Sequence, residues 1–327
     1  MNKKIIGFGS PLIDYLVREN VEFVQKHSLV KNGMTLVNAD TVNALINSVT
    51  APAVVPGGSA ANTICGLARM GIPSAFCGKI GKDPAADVLK TAYDRLGITQ
   101  RFLTSDSTPT GKVLSIITPD SERTFATFLG SALELSENEI TEELFKGCTH
   151  VYIEGYLIAN PPLIVKIAQT AKKLGLTTAI DLASFNIILE HKNAFSDILK
   201  KFIDYVFTNE EEAQALTGET NPQKILDILI ESCELAVLKL GKQGSMIRTK
   251  KEKITVPITP VKAVDTTGAG DLYAAGFLSG YLNGKDLKTC GTYGSITSKY
   301  VVQQYGAFMD DAAWKRILQE CADAGKK

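Results

Sequence analysis

The chain has 327 residues, 45% hydrophobic and 21% charged, and Lys plus Arg balance Asp plus Glu at 35 each. This is globular composition with apolar mass for a sizeable core, and the even charge balance argues against nucleic acid or an anionic membrane as partner. The six cysteines (65, 77, 148, 233, 290 and 321) form no C-x-x-C pair, and three distant histidines offer no zinc site. Unpaired thiols, a first apolar run too short for a signal sequence and no run of ~18 apolar residues predict a cytoplasmic protein without a membrane span.

In chain order, "KKIIGFG" reads as a strand. "GFGSPL" from Gly7 begins like a dinucleotide fingerprint but puts Leu12 where the third glycine belongs. Residues 11–38 hold the short strand-like runs "LIDYLV" and "MTLVNA". "SAANTICGLARMG" has helical spacing at Ala61, Ile64 and Ala68, with Gly71 as its stop. "SAFCGKIG" is a strand running into a turn. "DPAADVLKTAYDRLG" is a helix with Asp83 as cap, Pro84 in first position and Gly97 at its end. Residues 101–128 again read as short strands, in "RFLTSD", "GKVLSIITPD" and "ERTFATF". Beyond them, "THVYIEG", "TTAIDL", "IDYVFTN" and "CELAVLKLG" are strands, separated by the helices "PPLIVKIAQTAKKLG" and "EEEAQALTG".

This alternation predicts an α/β fold, a single domain over 1–327 with a mostly parallel central sheet and helices on both faces. The β-rich insertions at about 11–38 and 101–128 are expected to pair into a small separate sheet acting as a lid.

"DTTGAGDLYAAGF" (Asp265 to Phe277) places Gly268, Ala269 and Gly270 between two acids, before a run that suits a buried helix. The first N–H groups of a helix lack helical partners and carry partial positive charge. Small side chains let an anion reach them, which makes a phosphate seat. Asp271, in the first turn, then reaches a hydroxyl aimed at that phosphate and accepts its proton during in-line transfer. The plainer reading is tight packing around a first-turn acid. No G-x-x-x-x-G-K-[ST] loop is present.

"DTTGAGD" resembles the C-terminal signature of the ribokinase-like (PfkB) carbohydrate kinases, and "PGGSAANTICGLARMG" (Pro56–Gly71) resembles their N-terminal signature, about 200 residues upstream. "DSERTFATFLGSALEL" and "EGYL" are similar to bacterial adenosine-kinase-like members. The resemblance covers nearly the whole chain. It implies a ribokinase-like fold with a β lid, and ATP- and Mg²⁺-dependent phosphorylation of a primary hydroxyl of a nucleoside, foremost adenosine, or of a free sugar.

By the same resemblance, Asp271 matches the base and Gly268, Ala269 and Gly270 the anion hole. Asp14 and Asn62 match groups that bind substrate hydroxyls, with Gly57 and Gly58 allowing close backbone approach, and Arg123 a lid residue near the phosphates. Asn209 and Glu212 match the motif that organises magnesium through water. Lys239, Gly241, Gly244 and Thr266 fall on the nucleotide side. Carbonyls of Asp265 and Thr267 match a monovalent-cation site, with K⁺ as the ion. Exposed lid edges would allow a homodimer.

Plainer roles stand beside these: a turn acid for Asp14, a helix cap for Asn209 with Glu212, a hairpin turn for "GKQG", and core packing for Phe102, Phe125 and Phe128. Rival functions are a nucleoside-binding regulator without catalysis and, on the incomplete "GFGSPL" pattern, an NAD enzyme.

Overall fold

The computed structural model describes residues 3–120 and 122–326. The first two residues of the N-terminal stretch read above for a leader, and Ser121 within the 120–135 motif, lie outside the described residues. The large sheet has nine strands. From one edge they run Lys253–Val256, Ser245–Thr249, Leu235–Lys239, Tyr205–Asn209, Thr177–Asp181, His150–Glu154, Ile5–Phe8, Ser74–Cys77 and Thr99–Gln100. The first two are antiparallel additions, and every pairing after them is parallel. Central strands such as Val151–Glu154 and Val206–Thr208 are buried on both faces, as parallel strands under two helical layers must be.

Each face of the sheet has its own core. One contains Ile6, Phe8, Ile153 and Ile180, covered by helices Pro161–Lys173, Phe185–Phe202, Glu210–Thr217 and Pro222–Leu229. The other contains Ile5, Phe76, Tyr152 and Phe207, covered by helices Ser59–Arg69, Ala269–Leu282, Leu287–Val301 and Asp311–Ala324. The Pro84–Arg95 helix starts as its sequence predicts: Asp83 accepts a hydrogen bond from the Ala86 amide at 2.9 Å and Pro84 sits in the first turn.

A second sheet of five strands lies apart, in the order Met34–Leu36, Arg123–Gly130, Thr110–Ile117, Leu12–Arg18 and Ala53–Gly57. It draws on both β-rich segments and adds Ala53–Gly57 from beyond them. Three details differ from the sequence reading. "RFLTSD" contributes only Leu103–Thr104, paired with Lys79–Ile80 in a separate two-stranded piece. Phe102 packs against Phe76 and Tyr93 of the main core, with ring centroids at 6.1 and 5.3 Å. Helices Val21–Lys26 and Ala39–Ser48, which the sequence reading did not assign, bury Val24, Val42 and Leu45. A sheet of this size is apolar on one face, and these helices keep that face from water.

"GFGSPL" opens no helix. It carries the chain from Ile5–Phe8 of the large sheet to Leu12–Arg18 of the second. A dinucleotide site needs a strand–turn–helix unit at this point, so the geometry removes the NAD reading.

The Ala269–Leu282 helix is buried on nearly every side, from Leu272 to Gly280 without a break. Its neighbours approach closely because glycines face them: a Cβ on Gly66 would lie 2.7 Å from the Ala275 Cβ, and one on Gly276 would lie 2.4 Å from the Tyr293 carbonyl oxygen. Replacing a helical glycine by alanine ordinarily stabilises by about 1 kcal/mol. At Gly276 the clash with backbone reverses the sign, and Gly276→Ala is expected to destabilise by roughly 1–3 kcal/mol. Urea denaturation would read this; unchanged or increased stability would contradict the packing described.

Candidate active site

Four neighbouring parallel strands end on polar residues: Glu154, Asp181, Asn209 and Lys239. The register sets Glu154 beside Asp181 and Asn209 beside Lys239. Ligands of open α/β sheets bind outside these carboxyl ends, and here the N-terminus of the Ala269–Leu282 helix arrives at the same place.

Gly268 caps that helix with φ 73°, in the left-handed region that glycine adopts without strain, and no side chain caps the first turn. A Cβ on Gly268 would press to 2.5 Å on the Ala307 Cβ, and one on Gly270 would lie 3.0 Å from the Lys239 Nζ. Gly268 and Gly270 therefore leave their own amides uncovered, with an ammonium beside them. Such a cradle fits the phosphates of ATP. Thr266 is exposed, and its carbonyl accepts from the Ala269 amide at 3.2 Å.

Asp271, in the first turn, is held across the gap by the facing helix. Its Oδ1 accepts from the Ser59 hydroxyl at 2.7 Å and its Oδ2 from the Asn62 amide at 2.9 Å. Thr63 adds a bond from its hydroxyl to the Asp271 carbonyl at 3.1 Å. Asn62, a poor helix former in mid-helix, thus has a partner 209 residues away. Burial raises the Asp271 carboxyl to about 6, against the pull of the Asn62 and Ser59 hydrogen bonds.

Asp14 projects from the Leu12–Arg18 strand, and Gly57 lies on the adjacent strand two residue pairs away, on the same face. A Cβ on Gly57 would lie 2.5 Å from the Asp14 carboxyl, so glycine there makes room for it. Gly58 has φ 105°, and a Cβ would meet the Ser10 carbonyl at 2.2 Å. Burial raises Asp14 to about 7; Arg123 opposes this and Asp271 adds to it.

Arg123 itself pairs with Asp265, both nearly buried, which ties the second sheet to the loop before the Ala269–Leu282 helix. Asp265 also accepts from the Gly306 amide at 2.8 Å and the Thr267 amide at 2.9 Å. The Nε and Nη1 of Arg123 are buried without a hydrogen-bond partner.

Asn209 and Glu212 form a capping box: the Asn209 Oδ1 accepts from the Glu212 amide and the Glu212 Oε2 from the Asn209 amide, each at 2.9 Å. The Asn209 Nδ2 also donates to the Glu212 Oε1 at 2.6 Å, so the two side chains are engaged with each other. Gly241 and Gly244 lie in the tight connection between antiparallel strands Leu235–Lys239 and Ser245–Thr249, where a Cβ on Gly244 would lie 2.1 Å from the Val256 carbonyl. Among the described residues no group of three or more His, Cys, Asp or Glu is arranged to hold a metal ion, and no helix is long and apolar enough to cross a membrane.

Sequence reading passed over three members of this site. Glu154 is buried, and its two oxygens accept from the Ser10 amide at 3.3 Å and the Ala60 amide at 3.0 Å, so it caps the helix bearing Ser59 and Asn62. Asp181 bonds Lys239 at 2.7 Å. The signal for both was an acid ending an apolar strand, in "VYIE" and "TTAID". Ser59 left no signal of its own.

A model of the pfkB family carbohydrate kinases matches residues 27–312. The chain belongs to that family. An adenosine kinase of Saccharomyces cerevisiae is 26% identical over 333 residues, 94% of this chain and 96% of its own. The crystal structure of adenosine kinase from Sinorhizobium meliloti superposes with a TM-score of 0.90 at 29% identity, covering 98% of this chain and all of that one. A probable sugar kinase from Rhizobium etli CFN 42 gives a TM-score of 0.89 at 27% identity, with 98% of each chain covered. This pfkB member is an ATP-dependent kinase of the nucleoside and sugar group, with a ribokinase-like fold.

The kinase buries several acids whose carboxyls are raised by desolvation: Asp14, Glu154 and Glu212 to about 7, and Asp271 to about 6. A carboxyl whose folded value exceeds its unfolded one binds more protons in the folded state, so its stabilising contribution is lost as pH rises through the folded value. Without ligands, the protein is expected to lose roughly 1–2 kcal/mol between pH 6.5 and 8, a few degrees in Tm. Melts in buffers of matched ionic strength would show it, and a Tm that rises over this interval would contradict the burial of these groups.

Proposed function

We propose that this kinase transfers the γ-phosphoryl group of ATP to the 5′-hydroxyl of adenosine, giving AMP. The observation that carries the mechanism is the Asp271 carboxylate, fixed by Ser59 and Asn62 beside the uncovered amides of Gly268 and Gly270. Raised to about 6, the carboxyl is still mostly ionised at neutral pH and close enough to it to accept a proton efficiently. The hydroxyl of the acceptor gives its proton to Asp271, while the amides of Gly268–Gly270 stabilise charge on the transferred group.

Asp14, with Gly57 at its back, receives the ribose diol, and Asn62 serves the sugar side through its remaining carbonyl oxygen. The second sheet is the lid, with Arg123 drawn to the main domain by Asp265. ATP brings Mg²⁺ with it, held mainly by phosphates and water, and Asn209 with Glu212 orders that water. Carbonyls of Asp265 and Thr267 provide for a monovalent cation such as K⁺, and the lid edges for a homodimer.

Adenosine is preferred as acceptor because the relatives named adenosine kinase match nearly the whole chain. The similarity to a probable sugar kinase favours a second reading, in which a free sugar takes the same seat.

A coupled assay of ADP release over nucleosides and sugars distinguishes the two. Adenosine should turn over fastest, and 2′-deoxyadenosine should fall well below it in kcat/KM because one oxygen of Asp14 is left without its hydroxyl donor. Equal kcat/KM for the two nucleosides would remove the diol assignment, and turnover of sugars alone would favour the second reading. Asp271→Asn is expected to lower kcat by about 10²–10⁴ while ATP still binds. Near-normal turnover in that variant would remove Asp271 as the base.

A further inference from the structure

Lys239 ends its strand beside Asn209, and Asp181 ends a strand two places away in the sheet. Adjacent strands lie about 4.8 Å apart, so the lysine must lie across the end of the intervening strand to reach Asp181. It does so, with the Nζ 2.7 Å from the Asp181 Oδ2 and side-chain exposures of 14% and 5%. The Asp181 Oδ1 accepts from the Ala183 amide at 3.2 Å, and Ala183 holds φ 70°. A left-handed non-glycine residue is a strained conformation, and here it fixes the carboxylate that the lysine meets.

The lysine Nζ comes to 3.0 Å from where Gly270 would carry a Cβ. An ammonium at the positive end of a helix is unfavourable by itself. An anion entering between the two would be attracted by both. An ammonium has three donors, and Asp181 uses one.

We propose that Asp181 is a positioning residue, which draws Lys239 across the sheet so that its ammonium and the Gly268–Gly270 amides together form the polyphosphate seat. This rests on the phosphoryl-transfer reading of that seat. Asp181 touches no phosphate; it acts through the lysine. Glu212 and Asp271 also face the ammonium, and together with Asp181 they keep it charged.

The test is calorimetric titration with inorganic tripolyphosphate, alongside the ADP-release assay, on the whole chain carrying Lys239→Met, Asp181→Asn or both. Lys239→Met should weaken tripolyphosphate at least tenfold, and Asp181→Asn should do so by a similar factor. The double variant should be no weaker than Lys239→Met alone, the non-additivity expected of residues acting as one unit. KM for the acceptor should stay within about twofold in each variant while kcat falls. Asp181→Asn binding tripolyphosphate like the wild type, or a double variant losing the product of the two single losses, would overturn the assignment.

If Asp181→Asn fails to fold because it strands a buried cation, Asp181→Glu keeps the charge but moves the carboxylate by one methylene and decides the matter: tripolyphosphate affinity equal to wild type overturns the proposal, and a clear loss with the acceptor KM unchanged supports it. Failure of the underlying reading looks different. There the wild type itself neither binds tripolyphosphate nor releases ADP with any acceptor.

Discussion

The grip of Ser59 and Asn62 on the Asp271 carboxylate is the contact on which the site depends. It spans two helices that the sequence places more than 200 residues apart. It forms because those helices pack closely, with Gly66 against Ala275, and because Glu154 caps the Ser59–Arg69 helix from the end of a central strand. A larger residue at Gly66 would push the helices apart and lengthen both hydrogen bonds. Packing density in the interior thereby sets the geometry of the acid at the mouth.

The electrostatics follow from the same crowding. Strand ends and a helix start deliver Asp14, Glu154, Asp181, Glu212 and Asp271 to one region, with Lys239 and Arg123 as the cations facing them. Burial without full pairing raises most of these carboxyls. A fold chosen for stability alone would have few such groups. Their concentration in one cleft is the pattern expected where binding and proton transfer are carried out. The Arg123–Asp265 pair extends the network to the second sheet. Any opening of that sheet must separate two nearly buried charges, which sets an electrostatic cost on opening.

Membership in the pfkB family accounts for the architecture and the reaction class. The proposed assignments within the cleft rest on local chemistry. Some residues that the sequence singles out have ordinary structural occupations: Asn209 and Glu212 cap a helix with each other, and Gly244 lets two backbone segments touch. Others gain a partner that refines their role, as Asn62 does by holding Asp271.

The sequence alone determined the α/β class, most strands of the large sheet, the helices Ser59–Arg69, Pro84–Arg95, Pro161–Lys173 and Glu210–Thr217, the cap at Asp83, and the small-residue start of the Ala269–Leu282 helix, but not the helices Phe185–Phe202, Pro222–Leu229, Leu287–Val301 and Asp311–Ala324. Each feature it determined is a local pattern of period, cap or glycine, readable within a dozen residues. The place of Asp271 in the first turn was legible for the same reason, since the helix start is contiguous with it. The helix at Ala39–Ser48 was missed although Asn38 caps it, because its short apolar face lies between strand-like runs. Only the tertiary structure decided that Phe102 belongs to the main core, that Ser59 and Glu154 serve the site, and that Asp181 meets Lys239. The last two depend on strand order and helix packing, which bring together groups between 58 and 212 residues apart. No local pattern records such a meeting, because the free energy that enforces it comes from burying two whole helical layers against one sheet.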